Sequence, residues 1–299
     1  MGTNKIAVIG AGKLAHSLTY ALLNNGYQVE TIISRKLSSA KSLAKKFSIP
    51  YYSSSIRKIP DKVKIFLLTV PDGEIKKVAE SLSKLKINYK DCICIHFSGV
   101  ENISALKSLS KKSCLVGSLH IIRPFPSKSV VPIKNFPASI EAIDKRTNNY
   151  LIRLCRNLGL ISHKIKSNEK ILHHLAAVHS SNFLVGNLFN AFYLIESNNN
   201  LPKVILRQTT QTALENAFKL SPAKALSGPI DRGDIYTIKK HIEALDTKIR
   251  QTKGKGRLQL LRKNYIIQSL GLLEAVKAKY GKLSENHLEI KKLLKSKLN

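Results

Sequence analysis

Lys5-Ile6-Ala7-Val8-Ile9, running directly into Gly10-Ala11-Gly12-Lys13-Leu14-Ala15, is the stretch whose reading decides the fold. A short β-branched run breaks into G-x-G-x-x-A and resumes with apolar residues at Leu14, Leu18, Ala21 and Leu22, the spacing of one helix face. The pattern reads strand, tight turn, helix. Gly10 permits the turn, Gly12 lets the backbone approach a pyrophosphate, and Ala15 keeps the helix close to the sheet. Free N–H groups at the helix start then face two phosphates, which makes Gly10, Ala11, Gly12, Lys13 and Leu14 the expected dinucleotide contacts.

Outward from the turn, Asn24-Asn25-Gly26 stops the first helix and residues 27–33 form a second strand. Its exit reads Ser34-Arg35-Lys36, with no acidic residue to accept ribose hydroxyls, and Glu30 comes too early in the strand to serve. An acid there would repel a 2′-phosphate, whereas Arg35 offers a charged fork, Ser34 a hydroxyl and Lys36 a further cation. The expected cofactor is therefore NADP(H). A helix over 37–47 and a strand near 49–52 complete a βαβαβ half. Residues 65–70 are a fully apolar central strand whose end, Thr69-Val70-Pro71, falls beside the glycine turn. The strand over 92–97 ends in Ser98-Gly99, where Ser98 reads equally as a site hydroxyl or as a helix cap. A strand from Leu115 to His120 runs into Ile121-Ile122-Arg123-Pro124-Phe125-Pro126, whose prolines exclude a helix. One more strand near 135–142, a helix to about 158 and a strand over 160–165 finish this half.

From residue 168 onward the periodicity is helical, which places a domain boundary near Lys166. The expected fold is α/β: a Rossmann-like, doubly wound, mostly parallel sheet over residues 1–165, followed by an all-α domain over 166–299. A long amphipathic helix from about 168 to 196 carries His174, Val178 and Asn182 on one face. Helices over about 201–220 and 258–280 flank a compact block, Ala225 to Asp234, in which Arg232 is the anion handle. A last helix from Glu285 reads as peripheral and frayed at Lys295 to Asn299.

Composition narrows the class. At 299 residues and 43% hydrophobic content the chain is long and apolar enough for two cores, which excludes disorder. It has no run of eighteen apolar residues and no signal-peptide pattern, so a cytoplasmic protein is expected. Cys92, Cys94, Cys114 and Cys155 make no C-x-x-C pair and read as buried thiols, with no metal site. The net charge of +31 invites a nucleic-acid reading, but lysine outnumbers arginine 39 to 11 and is spread without a dense block or an aromatic row. That distribution argues against nucleic acid as the partner, while the field still favours anionic small molecules.

Taken together, the glycine turn, His96-Phe97-Ser98-Gly99, Ser118-Leu119-His120, His174-Leu175-Ala176-Ala177-Val178 with Ser181-Asn182-Phe183, and Leu226-Ser227-Gly228-Pro229-Ile230 with Arg232-Gly233-Asp234 resemble a family of bacterial oxidoreductases. That family joins a Rossmann-like NADP domain to a short helical domain and is similar to pyrroline-5-carboxylate reductase, the deazaflavin-dependent NADP reductase and the β-hydroxyacid dehydrogenases. The resemblance extends to about Lys277. The chain departs from it at His120-Ile121-Ile122-Arg123, where His-Pro-Leu-Gln is usual, and at Asp231, where a small residue is commoner.

The resemblance implies an NADPH-dependent reductase of a small 2-oxo acid. One branch of the family is an alternative ketopantoate reductase making pantoate for coenzyme A synthesis. It places His174, Asn182, Ser98 and His120 as catalytic candidates, His174 as proton donor, and Arg232, Ser227 and Arg123 as carboxylate-binding candidates. It also implies a homodimer formed through the helical half, with the apolar residues of 265–276 as the contact. Reduction of another carbonyl or of a cyclic imine such as pyrroline-5-carboxylate, and a non-catalytic dinucleotide sensor, remain as alternatives.

Overall fold

A computed structural model describes residues 4–195 and 201–298. Its first half alternates strands and helices: β1 (Lys5–Ile9), α1 (Lys13–Asn24), β2 (Val29–Ile33), α2 (Leu37–Lys46), β3 (Tyr51–Ser53), β4 (Val63–Leu68), α3 (Ile75–Leu82), β5 (Ile93–His96), α4 (Lys107–Ser110), β6 (Leu115–Ile121), β7 (Pro137–Ala142), α5 (Lys145–Asn157) and β8 (Ile161–Lys164). The eight strands form one sheet in the order β3-β2-β1-β4-β5-β6-β7-β8, parallel except where β6 meets β7. The expected Rossmann-like sheet is present. Because β1 lies between β2 and β4, the chain's progress across the sheet reverses there, and the crevice at that reversal opens above the strands' carboxyl ends. Apolar side chains cover both faces. One layer is built on Val8, Leu18, Ile32, Leu67 and Ile95, the other on Ile9, Phe66, Leu68, Leu82 and Val116. The four cysteines are buried free thiols, as expected from their spacing.

The second half is helical: α6 (Lys170–Ser180), α7 (Asn182–Leu194), α8 (Leu201–Leu220), α9 (Pro222–Ala225), α10 (Pro229–Arg232), α11 (Ile235–Gln251), α12 (Gly256–Tyr280) and α13 (Glu285–Ser296). By compactness the chain divides into two units, Met1–Phe183 and Leu184–Asn299, so α6 counts with the sheet, whereas the change of sequence pattern falls at Lys166.

Three expectations for this half need correction. The long helix is two helices. Ser181 leaves helical geometry at φ −122°, ψ −63°, and the hydroxyls of Ser180 and Ser181 both donate to the Ala177 carbonyl, a bond pattern that bends or ends helices. Glu196, the expected end of that helix, lies outside the described residues, as does Asn299. The stretch after Asp234 is a further helix, α11, capped by Asp234 accepting from the Thr237 N–H. Finally, α13 is not peripheral: Ile290 and Leu294 are fully buried with Ile238, Ile242, Ile266, Leu273 and Val276 in the core of the second unit. The same packing absorbs much of the apolar face of 265–276. No described helix is long and apolar enough to cross a membrane.

Candidate active site

The glycine turn is pinned from both neighbouring strands. The Gly10 N–H donates to the Ile33 carbonyl at 2.7 Å, and the Thr69 N–H donates to the Ile9 carbonyl at 2.7 Å. The Thr69 hydroxyl donates toward the Ile9 and Gly10 carbonyls at 3.2 and 3.1 Å. Gly10 has φ +115°, and a Cβ there would lie 2.4 Å from the Thr69 carbonyl oxygen. Only glycine fits. Gly12 then caps α1 with no side-chain hydrogen bond, and the first turn of α1 holds no acidic residue. The helix start therefore offers unsatisfied N–H groups and a positive dipole end at the sheet's reversal point, which is what a pyrophosphate requires.

At the end of β2, Arg35 is exposed, with Nη1 3.6 Å from the Glu74 carboxylate. Lys36 is exposed and Ser34 half-buried beside it. Glu30 is occupied elsewhere: Lys62 at 2.6 Å and Lys5 at 3.3 Å hold its carboxylate and lower its pKa against the opposing effect of burial. Val70 and Pro71 continue from Thr69 along the same edge. These residues fit a nicotinamide dinucleotide: the turn is a cradle a side chain would fill, and the second strand's exit carries Arg35 and Lys36.

A second cluster forms where β6 and α6 meet within the first unit. His120, Arg123, His174, Val178 and Asn182 line one cavity of about 200 Å³. His120 and His174 stand edge to face, ring centroids 5.5 Å apart. They meet over Gly99, where a Cβ would lie 2.5 Å from His174 Nδ1 and 2.9 Å from His120 Nε2. Burial, then His174, Lys170 and His163, push the His120 pKa down to about 4, so its ring is neutral at physiological pH. His96, buried at the end of β5, is pushed down to about 3 by burial and Lys170. His174 Nδ1 and Arg123 Nε are buried without a protein partner. The Arg123 guanidinium lies 4.2 Å over the Phe136 ring, which holds it in one plane.

The other expected residues are placed differently. The Ser98 oxygen accepts from the Val100 and Glu101 N–H groups at 3.1 and 2.9 Å, the capping role, and Ser98 is not among the cavity-lining residues. Ser227 and Arg232 belong to the second unit. Ser227 is exposed, and Arg232 is exposed with Nη2 4.0 Å from Asp234. Asp231, the departure beside Arg232, is held by Lys279 at 2.9 Å. One residue was missed altogether: Lys170, 2% exposed, whose ammonium donates to the Glu101 carbonyl, Ser118 and Glu141. Its sequence signal was its place four residues before His174, on the same helix face. Among the described residues no group of three or more His, Cys, Asp or Glu side chains is arranged to hold a metal ion.

An open, mostly parallel sheet with a glycine turn at its reversal point and helices after it defines a Rossmann-like α/β fold. Residues 5–90 match the family described as NADP oxidoreductase, coenzyme F420-dependent, and residues 136–253 match a domain of unknown function, DUF2520. Among solved structures, a protein from Bacteroides fragilis described as a candidate NADP oxidoreductase is 23% identical, with a TM-score of 0.75 over 91% of this chain and 98% of its own. A protein from Thermotoga maritima is 22% identical, with a TM-score of 0.60 over 92% of this chain and 99% of its own. A pyrroline-5-carboxylate reductase from Coxiella burnetii is 17% identical, with a TM-score of 0.53 over 98% of this chain and 99% of its own. No curated protein matches the chain in sequence.

Proposed function

We propose that this protein is an NADPH-dependent reductase of small 2-oxo acids, with ketopantoate as the substrate to test first. The observation that carries the reading is the cavity in which His120, His174, Arg123 and Asn182 converge, built into the same unit as the glycine turn. NADPH, when bound, supplies the hydride that reduces the carbonyl carbon. The chain's residues do the rest. Arg123 binds the carboxylate, Asn182 holds the carbonyl oxygen, and His174 donates the proton that converts it to a hydroxyl. His120, neutral, holds the substrate by a hydrogen bond and is not the donor. Ser98 caps the loop that brings Gly99 under the two rings. The Glu74–Arg35 pair gives way to a 2′-phosphate, with Ser34 and Lys36 beside it.

The test is NADPH oxidation against ketopantoate, other 2-oxo acids and pyrroline-5-carboxylate. Turnover confined to pyrroline-5-carboxylate would replace the 2-oxo acid by a cyclic imine. NADPH binding without turnover of any compound would leave a dinucleotide sensor.

The same reading takes the protein as a cytoplasmic homodimer, formed through α7 and α8 in place of 265–276. What supports it is that α7 holds no charged residue and buries none of its own, leaving Val185, Phe189 and Phe192 exposed. On α8, Val204, Ile205 and Phe218 are exposed as well. In a chain of net charge +31, a helix with no charged side chain of its own is where a second copy approaches with least repulsion, the Arg257 guanidinium stacked 4.2 Å over Phe189 being a cation beside it. Arg232 and Ser227 remain the candidate anion contacts of the second unit.

A further inference from the structure

Lys170 is the buried lysine among the described residues of a chain with 39 lysines. Taking an ammonium out of water costs several kcal/mol unless its donors are satisfied. Here all three donors have acceptors: the Glu101 carbonyl at 2.5 Å, the Ser118 hydroxyl at 2.5 Å and Glu141 Oε2 at 3.4 Å. Glu141 is itself buried, and its other oxygen accepts from the Ser167 hydroxyl at 2.5 Å and the Ile103 N–H at 3.3 Å. Every polar atom of this knot joins one element to another.

The elements that meet at Lys170 meet again one turn further along. Lys170 and His174 are four apart on α6 and share a helix face, while Ser118 and His120 are two apart on β6 and share a strand face. Glu101 and Gly99 belong to the same loop. At the first level Lys170 bonds Ser118 and Glu101. At the second, His174 meets His120 over Gly99. We propose that Lys170 is a positioning residue: its ammonium, tied to Ser118, Glu141 and the Glu101 carbonyl, sets the register of α6 on the sheet and so fixes the His174–His120 pair. Its catalytic consequence rests on the reductase reading. Its geometric consequence does not.

The groups facing His120 are His174 and Lys170 from α6 and His163 from β8, with Arg123 lining the same cavity. Lys170 also helps to hold His120 neutral. The test uses three variants of the full chain. Lys170→Met removes the charge but leaves Glu141 unpaired. Ser118→Ala breaks one bond without altering any charge, and Lys170→Arg is the conservative rescue. The histidine imidazole signals are followed by NMR across pH, NADPH affinity checks the first unit, and kcat and KM are measured with ketopantoate. In Lys170→Met, His120 is expected to titrate at higher pH than in the parent. Its kcat should fall by roughly 10²-fold, the cost of misplacing a reacting group by about an ångström, with NADPH affinity unchanged. Ser118→Ala should move the His120 and His174 signals and lower kcat several-fold, and Lys170→Arg should keep the parent titration. Folded Lys170→Met and Ser118→Ala proteins with parental His120 and His174 signals would overturn the proposal. Should Lys170→Met fail to fold, Ser118→Ala decides by the same signals. If the parent does not reduce ketopantoate and the signals still move, the substrate falls and the positioning role stands.

Discussion

His120 and His174 come from opposite halves of one cavity wall, strand and helix, and meet with ring planes at 60°. Burial and the cations around it keep His120 unprotonated down to about pH 4, so the proposed proton donor is His174 and not His120. His174→Ala should therefore lower kcat by about 10²- to 10⁴-fold, the range for losing a general acid. Asn182→Ala should lower kcat by a smaller factor, and NADPH affinity should be preserved in both. Steady-state kinetics with direct NADPH titration checks this, and unchanged turnover in both variants would remove the assignment.

Gly10→Ala would force a methyl group to within 2.4 Å of the Thr69 carbonyl and hold alanine at φ +115°. The backbone strain alone costs about 1–3 kcal/mol. The expected result is a lower Tm and no measurable NADPH binding, read by differential scanning and fluorescence titration.

On the NADPH reading, Glu74 competes with the 2′-phosphate for Arg35. Arg35→Ala should weaken NADPH by roughly 10- to 100-fold with little change for NADH, the value of a hydrogen bond to a charged group. Glu74→Gln should act the other way and tighten NADPH modestly. Paired titrations with NADPH and NADH distinguish the two cofactors.

Acid should begin to destabilise the fold through two buried histidines. His96 and His120 take up protons in the unfolded chain near pH 6.5 but in the folded protein only near 3 and 4. Their contribution is complete above about pH 6.5 and is lost progressively as pH falls, since the unfolded state then binds more protons. The urea midpoint should drop between pH 7 and pH 5, and His96→Leu should flatten that dependence.

Ile290→Ala should cost the second unit about 2–5 kcal/mol, because a fully buried isoleucine is replaced by a cavity. A loss of a few tenths would return α13 to the periphery.

The sheet was legible because Gly10, Gly12 and Ala15 follow a β-branched run, a combination with one geometric use. The paired histidines were legible only in part. His174 and Asn182 share a helical line, and although the helix breaks at Ser181, both still reach one cavity. The break depends on where two serine hydroxyls turn, which periodicity does not record. Lys170 escaped notice because its one signal, a place four residues before His174, does not stand out in a lysine-rich chain until its burial is seen. The core role of α13 escaped for the opposite reason: its apolar positions Ile290 and Leu294 are set among lysines and look like a solvated face. Ser98 shows a third limit, since a cap and a site hydroxyl look alike in sequence and differ only in what the oxygen accepts.

The absence of any charge on α7 gives salt an unusual role. For a chain of +31, ionic strength weakens attachment to a polyanion, whose binding is driven by counterion release. The same ions shield two copies of this protein from each other, while contacts between uncharged faces lose nothing to screening. If two copies associate through α7 as proposed, adding salt would raise that association and lower polyanion binding, so a single ionic-strength series separates the two by its sign.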